Sequence, residues 1–366
     1  GITARVISRI EPGLAVMNSE DMLVVQNAVK VFTVRRRSLK RVSMTAVDDV
    51  SLTVRRGETV GLVGESGSGK STLGRAILRL LDLDGGKILF EGREIQGLSE
   101  REFRPLRAKI QMVFQNPATS FNPTMTIGQT LVDAMRLARH LTLKQKEQRA
   151  LALLDQMQLD ERFAALYPYE MSGGQLQRVA LARALAPEPD FIFLDEPTAA
   201  LDMSVRGQII NLLLSLQRQS RLSFVFVSHD LRVIRYIANR VYVMYLGQVV
   251  ETGTKRTVFE TPRHPYTRAL LAATLIGQAE RGEMRRAGTL TGEVTQGAPD
   301  FAGCKLYGRC RHATDRCARE PQALRAIAPD HWARCWRAEE LAQSGWPAES
   351  SAAKERPPTG PQQAIV

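Results

Sequence analysis

Eight residues, Gly64-Glu65-Ser66-Gly67-Ser68-Gly69-Lys70-Ser71, set three glycines, a lysine and a hydroxyl at a spacing that suits a phosphate group. Glycine lets successive backbone N–H groups turn inward with no Cβ in the way. Those N–H groups, with the positive end of a following helix, make an anion site. There Lys70 can reach terminal phosphates and the Ser71 hydroxyl can ligate Mg²⁺. A second candidate is Asp195-Glu196, two carboxylates that end the apolar run Phe191-Ile192-Phe193-Leu194. Asp195 is placed to support Mg²⁺, and Glu196 to polarise an attacking water as a general base. A third is the set of four cysteines, all between 304 and 335.

This chemistry needs a frame. Thr59–Val63 reads as a buried strand, and Ser71–Leu81 as a helix with Leu73, Ile77, Leu78 and Leu81 on one face. The glycine-rich loop therefore lies between a strand and a helix, the context that gives it meaning. Further strands are expected at Gly86–Phe90, Lys109–Phe114, Phe191–Leu194, Ser223–Val227 and Val241–Leu246. Helices are expected at Gly174–Ala186, Ser204–Leu216 and Leu231–Ala238, the first stopped by Pro187 and Pro189. Such alternation indicates an α/β core with a mainly parallel sheet. Met22–Val34 and Val50–Val54 read as a small antiparallel sheet. The basic stretch Arg35-Arg36-Arg37-Ser38-Leu39-Lys40-Arg41 between them reads as a solvated turn. Residues 116–170 carry helical periodicity at Ile127–Ala138 and Leu143–Met157, as a helical insertion would.

The chain has 366 residues, enough for two domains, and a formal net charge of +12. That charge suits nucleic acid or an anionic membrane face equally. No stretch approaches ~20 uninterrupted apolar residues, the length that spans a bilayer. The start lacks a charged-then-apolar pattern, so secretion is not expected. Residues 1–21 read as peripheral. Residues 347–366, rich in Ser, Ala, Pro and Gln, read as a disordered tail.

About one hundred residues after the phosphate loop comes Met171-Ser172-Gly173-Gly174-Gln175. It resembles the signature motif of ATP-binding-cassette (ABC) ATPases, and the resemblance covers about 22–260. It implies a P-loop NTPase fold of ABC type, with an antiparallel β subdomain and a helical subdomain, that hydrolyses ATP with Mg²⁺. It also implies that residues 64–72, through Thr72, cradle the phosphates. Gln115 matches the family's Q-loop on Mg²⁺, and Asp202, in Ala199-Ala200-Leu201-Asp202, its D-loop. Position 200 departs from the serine the family more often has. His229, in Ser228-His229-Asp230, matches the switch histidine on the γ-phosphate. Phe32 is the candidate to stack on adenine. In this family two cassettes pair head to tail, so Ser172, Gly173, Gly174 and Gln175 would cap the partner's ATP. Leu176 stands where the family often has Arg or Lys.

After the core, His264-Pro265-Tyr266-Thr267-Arg268-Ala269-Leu270 and the spacing C-x5-C-x6-C-x17-C at Cys304, Cys310, Cys317 and Cys335 resemble the C-terminal extension, 261–346, of dipeptide, oligopeptide and nickel importer ATPases. In some members four cysteines hold a 4Fe–4S cluster. From the residues alone, an iron–sulfur cluster, Zn²⁺ and unligated thiols all stay open, with His331 a possible substitute ligand. The resemblance implies a peripheral subunit on the cytoplasmic face of the bacterial inner membrane. Its expected partners are two transmembrane permeases, a second ABC ATPase that is more often distinct than identical, and an extracytoplasmic solute-binding protein. No nucleic acid is expected. The expected permease contacts are Phe121-Asn122-Pro123 and Tyr167-Pro168-Tyr169-Glu170. A soluble ABC ATPase of DNA repair or translation is the other reading. It lacks the sustained heptads and the second cassette those proteins carry.

Overall fold

The computed structural model describes residues 20–35, 41–199, 201–275, 290 and 301–343. The expectations for residues 1–19, for the 36–40 part of the basic stretch, for Ala200 and for the tail fall outside them.

Five short apolar runs form the parallel centre of the main sheet. They are β3 (Thr59–Val63), β6 (Ile110–Val113), β7 (Phe191–Asp195), β8 (Ser223–Val227) and β9 (Arg240–Tyr245). Their order is β6-β7-β8-β3-β9, every neighbouring pair parallel. In β3, β7 and β8 every residue is buried, which suits a sheet covered on both faces. Beyond β9, β10 (Gln248–Thr254), β12 (His331–Ala333) and β11 (Arg325–Ala328) continue the sheet antiparallel. A second, antiparallel sheet has the order β2-β1-β4-β5, from Arg41–Arg55, Asp21–Arg35, Gly85–Phe90 and Arg93–Glu94.

Two apolar cores sandwich the main sheet. One joins the small sheet and α1 (Lys70–Ile77) through Leu23, Leu52, Leu73, Phe90 and Phe193. Gly74 lets α1 lie directly on the Phe193 ring, which a Cβ at that position would strike. The other core packs α4 (Ile127–Ala134), α5 (Leu143–Gln156) and α6 (Gly173–Leu185) with Val179, Ile192 and Phe226. These three helices begin alike. Thr126, Thr142 and Ser172 each accept from the N–H of a glutamine three residues on, whose side chain accepts in return.

Two expected boundaries move. The helix after the phosphate loop stops at Ile77 because Arg79 takes φ +52°, leaving Leu80 55% exposed. The second hairpin strand starts at Arg41, so the two ends of the basic stretch, Arg35 and Arg41, are paired in register. Strands β10 to β12 were not expected, and long-range pairing creates β11 and β12.

Candidate nucleotide site

Four neighbouring parallel strands, β6, β7, β8 and β3, end on one side of the sheet, and each end carries one part of the site. This is where ligands bind in open α/β sheets. The loop 64–69 follows β3 and enters α1. Gly64 and Gly69 come so close to the backbone oxygens of Met244 and Ala46 that a Cβ would collide with each. Gly67, at φ +78°, faces open space, with nothing within 4 Å of a Cβ. The loop is thus braced from behind and open where a phosphate would enter.

Lys70 Nζ donates to Gly64 O and Glu65 O, both at 2.8 Å, and to Ser68 Oγ at 3.1 Å. Burial pulls its pKa down, against the opposing pull of Glu196, Asp195 and Glu65. A desolvated ammonium inside a ring of oxygens is ready to exchange some of them for phosphate oxygens. Asp195, 4% exposed, is hydrogen-bonded to Ser71. Burial pushes its carboxyl up, offset by that bond. An adjacent hydroxyl and carboxylate fit a hard cation such as Mg²⁺.

Glu196 gathers the other two strand ends. Gln115, after β6, donates Nε2–H to Glu196 Oε2 at 2.8 Å. His229, after β8, places Nδ1 3.4 Å from the same oxygen. Glu196 itself sits at φ +48°, an unusual backbone for a non-glycine residue. Its N–H donates to Val227 O at 3.1 Å, which ties the turn to β8. Gln115, Asp195, Glu196, His229, Lys70 and Ser71 are therefore brought together. The arrangement can hold a metal–phosphate group and orient water beside it.

The remaining positions lie elsewhere. Ser172 and Gly173 are exposed at the start of α6, and a Cβ at Gly173 meets nothing within 4 Å. Gln175 is engaged with Ser172 in the capping box. Asp202 is exposed at the start of α7 (Met203–Ser220). Phe32 lies half-buried on β1, with Lys30 Nζ 5.7 Å from its ring centroid. Its register partner Met44 is two residues from Ala46, which braces Gly69.

In the C-terminal region Cys304, Cys310, Cys317 and Cys335 line one small cavity of about 20 Å³, together with His264 and His312. All four are free thiols. Burial pushes Cys304 up to about 11 and Cys335 up to about 12. Thiols so placed ionise only with a cation at hand. No group of three or more His, Cys, Asp or Glu among the described residues is arranged to hold a metal ion. The iron–sulfur and zinc expectations thus rest on the donor set alone. His331 is not a spare ligand: it lies on β12, and its Nε2 is 2.7 Å from Glu251 Oε1, both side chains fully buried.

Two further residues touch the phosphate loop. Tyr266, on α10 (Pro265–Leu275), accepts from the Glu65 N–H at 2.9 Å. Arg309 places Nη1 3.2 Å from the Glu65 carboxylate. Sequence spacing carries no sign of either contact, since both cross more than two hundred positions.

Comparison with known proteins agrees with this geometry. The ABC transporter family matches residues 47–199, and the oligopeptide/dipeptide transporter C-terminal region matches 250–317. A Brucella ovis protein provisionally named as a peptide import ATP-binding protein is 41% identical, over 88% of this chain and 99% of its own. This chain belongs to the ATP-binding subunits of ABC transporters. As such it hydrolyses ATP, with Mg²⁺. The glutathione import ATP-binding protein GsiA of Shigella dysenteriae is 48% identical over 74% of this ABC subunit, which covers 44% of GsiA. An ATP-binding cassette solved as a dimer in a post-hydrolysis state with ADP and Pi superposes with a TM-score of 0.59 at 32% identity. It covers 64% of this chain and 99% of that one. Among the described residues no helix is long and apolar enough to cross a membrane.

Proposed function

We propose that this subunit drives import of short peptides or peptide-like solutes across the bacterial inner membrane from its cytoplasmic face. The observation that carries this reading is the match of residues 250–317, which begin within β10 of the sheet that holds the nucleotide site, to the oligopeptide/dipeptide transporter C-terminal region. Its partners are two permeases, a second ABC ATPase and an extracytoplasmic solute-binding protein. In the cycle, residues 64–72 and Lys70 hold the phosphates of ATP. Ser71, Asp195 and Gln115 hold Mg²⁺, which neutralises phosphate charge. Glu196 polarises the attacking water and His229 contacts the γ-phosphate. Phe32 stacks on adenine. The exposed start of α6, at Ser172, Gly173 and Gly174, caps the partner's nucleotide together with Gln175 and Asp202, so two ATP molecules close the dimer.

For the permease we propose a groove of about 960 Å³ beside α4, between it and two short helices at 100–109. Phe103 and Phe114 line it, with Arg101, Arg104, Arg107 and Arg136 around them. Of the contacts expected from sequence, Phe121 does not qualify: it is 7% exposed and lies under the Arg183 guanidinium. Tyr169 remains a candidate, 73% exposed and stacked on Tyr167. The test is to co-purify the complex with its permeases and identify the solute its binding protein retains. A peptide or peptide conjugate supports the reading, and a solute without peptide character overturns it.

We further propose that the four cysteines hold a 4Fe–4S cluster. Four unpaired thiols around one cavity, Cys317 buried and the other three half-buried, support this. Anaerobic purification with iron, sulfide and zinc analysis decides it. About four irons per chain, lost in Cys317→Ser, is the expected result. Zinc or no metal refutes it.

A further inference from the structure

Three of the four cysteines stand beside a cationic residue that reaches out of the cysteine region into the nucleotide scaffold. Lys305, after Cys304, has Nζ 2.6 Å from Asp48 Oδ2 and donates to Leu246 O at 2.7 Å. Arg334, before Cys335, donates to Val249 O at 3.0 Å and lies 3.6 Å from Asp49. Arg309, before Cys310, ends in the phosphate loop itself. Its Nη1 donates to the Glu65 carboxylate at 3.2 and 3.5 Å and lies 3.4 Å from the Tyr245 hydroxyl.

Glu65 is consequently held by three groups. Its carboxylate takes Arg309, its N–H takes Tyr266, and its C=O takes the Lys70 ammonium. Tyr266 is fully buried, its ring centroid 4.6 Å from that of Tyr245. Arg309 is 14% exposed. Both anchors are therefore well ordered by their surroundings. An N–H bound to Tyr266 is not available to phosphate. Its role is to set where the loop begins, and with it the direction of the N–H groups that follow. The oxygen of the same peptide residue is one that Lys70 holds before phosphate arrives.

We propose that Arg309 and Tyr266 are positioning residues for the phosphate loop, through which the C-terminal extension sets the grip on ATP, the cysteine region acting by Arg309. The coupling runs both ways by linkage: nucleotide that orders the loop also steadies the cysteine region. The inference rests on ATP binding and not on the importer reading, so the transported solute has no bearing on it.

The test uses the full chain and a direct MgATP titration, with ATPase kinetics alongside. Arg309→Ala and Tyr266→Phe each weaken MgATP binding about tenfold, the scale of one charge-assisted or buried hydrogen bond. KM rises while kcat changes by less than about threefold. Arg309→Lys restores most of the affinity, because it returns the charge beside Glu65. Lys305→Ala is the control, since Lys305 ends on Asp48 and a carbonyl and not on the loop. It lowers the melting temperature without that loss of affinity. Hydrogen exchange across 301–335 slows with MgATP in the parent and does not in Arg309→Ala. If Arg309→Ala fails to fold, Glu65→Gln probes the same pair from the loop side. Parent-like affinity in folded Arg309→Ala and Tyr266→Phe, or in Glu65→Gln, overturns the proposal. So does an equal loss of affinity in Lys305→Ala.

Discussion

The nucleotide site and the cysteine region share one sheet but are assembled by opposite means. The site takes its parts from four adjacent strand ends, and the strands are held by apolar burial on both faces. The cysteine region adds few large apolar side chains, Leu306 and Leu341 among them. It is fastened by polar groups instead. Glu251, wholly buried on β10, accepts from the N–H groups of Arg263 and His264 at 2.7 and 2.9 Å and meets His331 at 2.7 Å. Lys305, Arg309 and Arg334 fasten it elsewhere. Apolar burial sums over many contacts and tolerates the loss of one. A buried polar seam does not, because removing one member leaves its partners unsatisfied.

That contrast can be broken at graded points. Lys70→Ala should abolish nucleotide binding and hydrolysis in the purified chain while the melting temperature stays near that of the parent. Measurable binding would remove Lys70 from the site. Glu196→Gln should lower turnover about a thousandfold yet retain ATP, and size-exclusion chromatography should then show a stable dimer. Unchanged turnover would assign the base elsewhere. On the polar side, Glu251→Ala should cost about 3 kcal/mol, with hydrogen exchange rising first across 325–335 and only later in β7 and β8. Uniform loss across both regions would mean that they unfold as one unit. The smallest effect belongs to Arg256→Ala, whose partner Glu260 is an exposed i,i+4 neighbour. Its melting shift should correspond to under about 0.5 kcal/mol.

The two regions also differed in what could be read in advance. The strand before the phosphate loop was legible at Thr59–Val63 because five consecutive buried residues in a parallel sheet give an unbroken apolar run. The helix starts at Ile127 and Leu143 were legible too, since each follows a threonine that caps it. β11 and β12 were not, because strands of four and three residues are too short to show a period along the chain. His331 shows the limit for side chains. A histidine four residues before a cysteine invites a ligand role, and only β10 beside it shows that Glu251 occupies its Nε2.

By itself the sequence determined the α/β class, the phosphate-loop motif and the carboxylate pair at the end of β7. Those depend on local pattern, where neighbours along the chain are also neighbours in space. The convergence of Gln115 and His229 on one Glu196 oxygen was decided by strand order, and the hold of Arg309 and Tyr266 on Glu65 by the return of the C-terminal region. Contacts across such separations depend on how the sheet is wound, and no spacing along the chain encodes that.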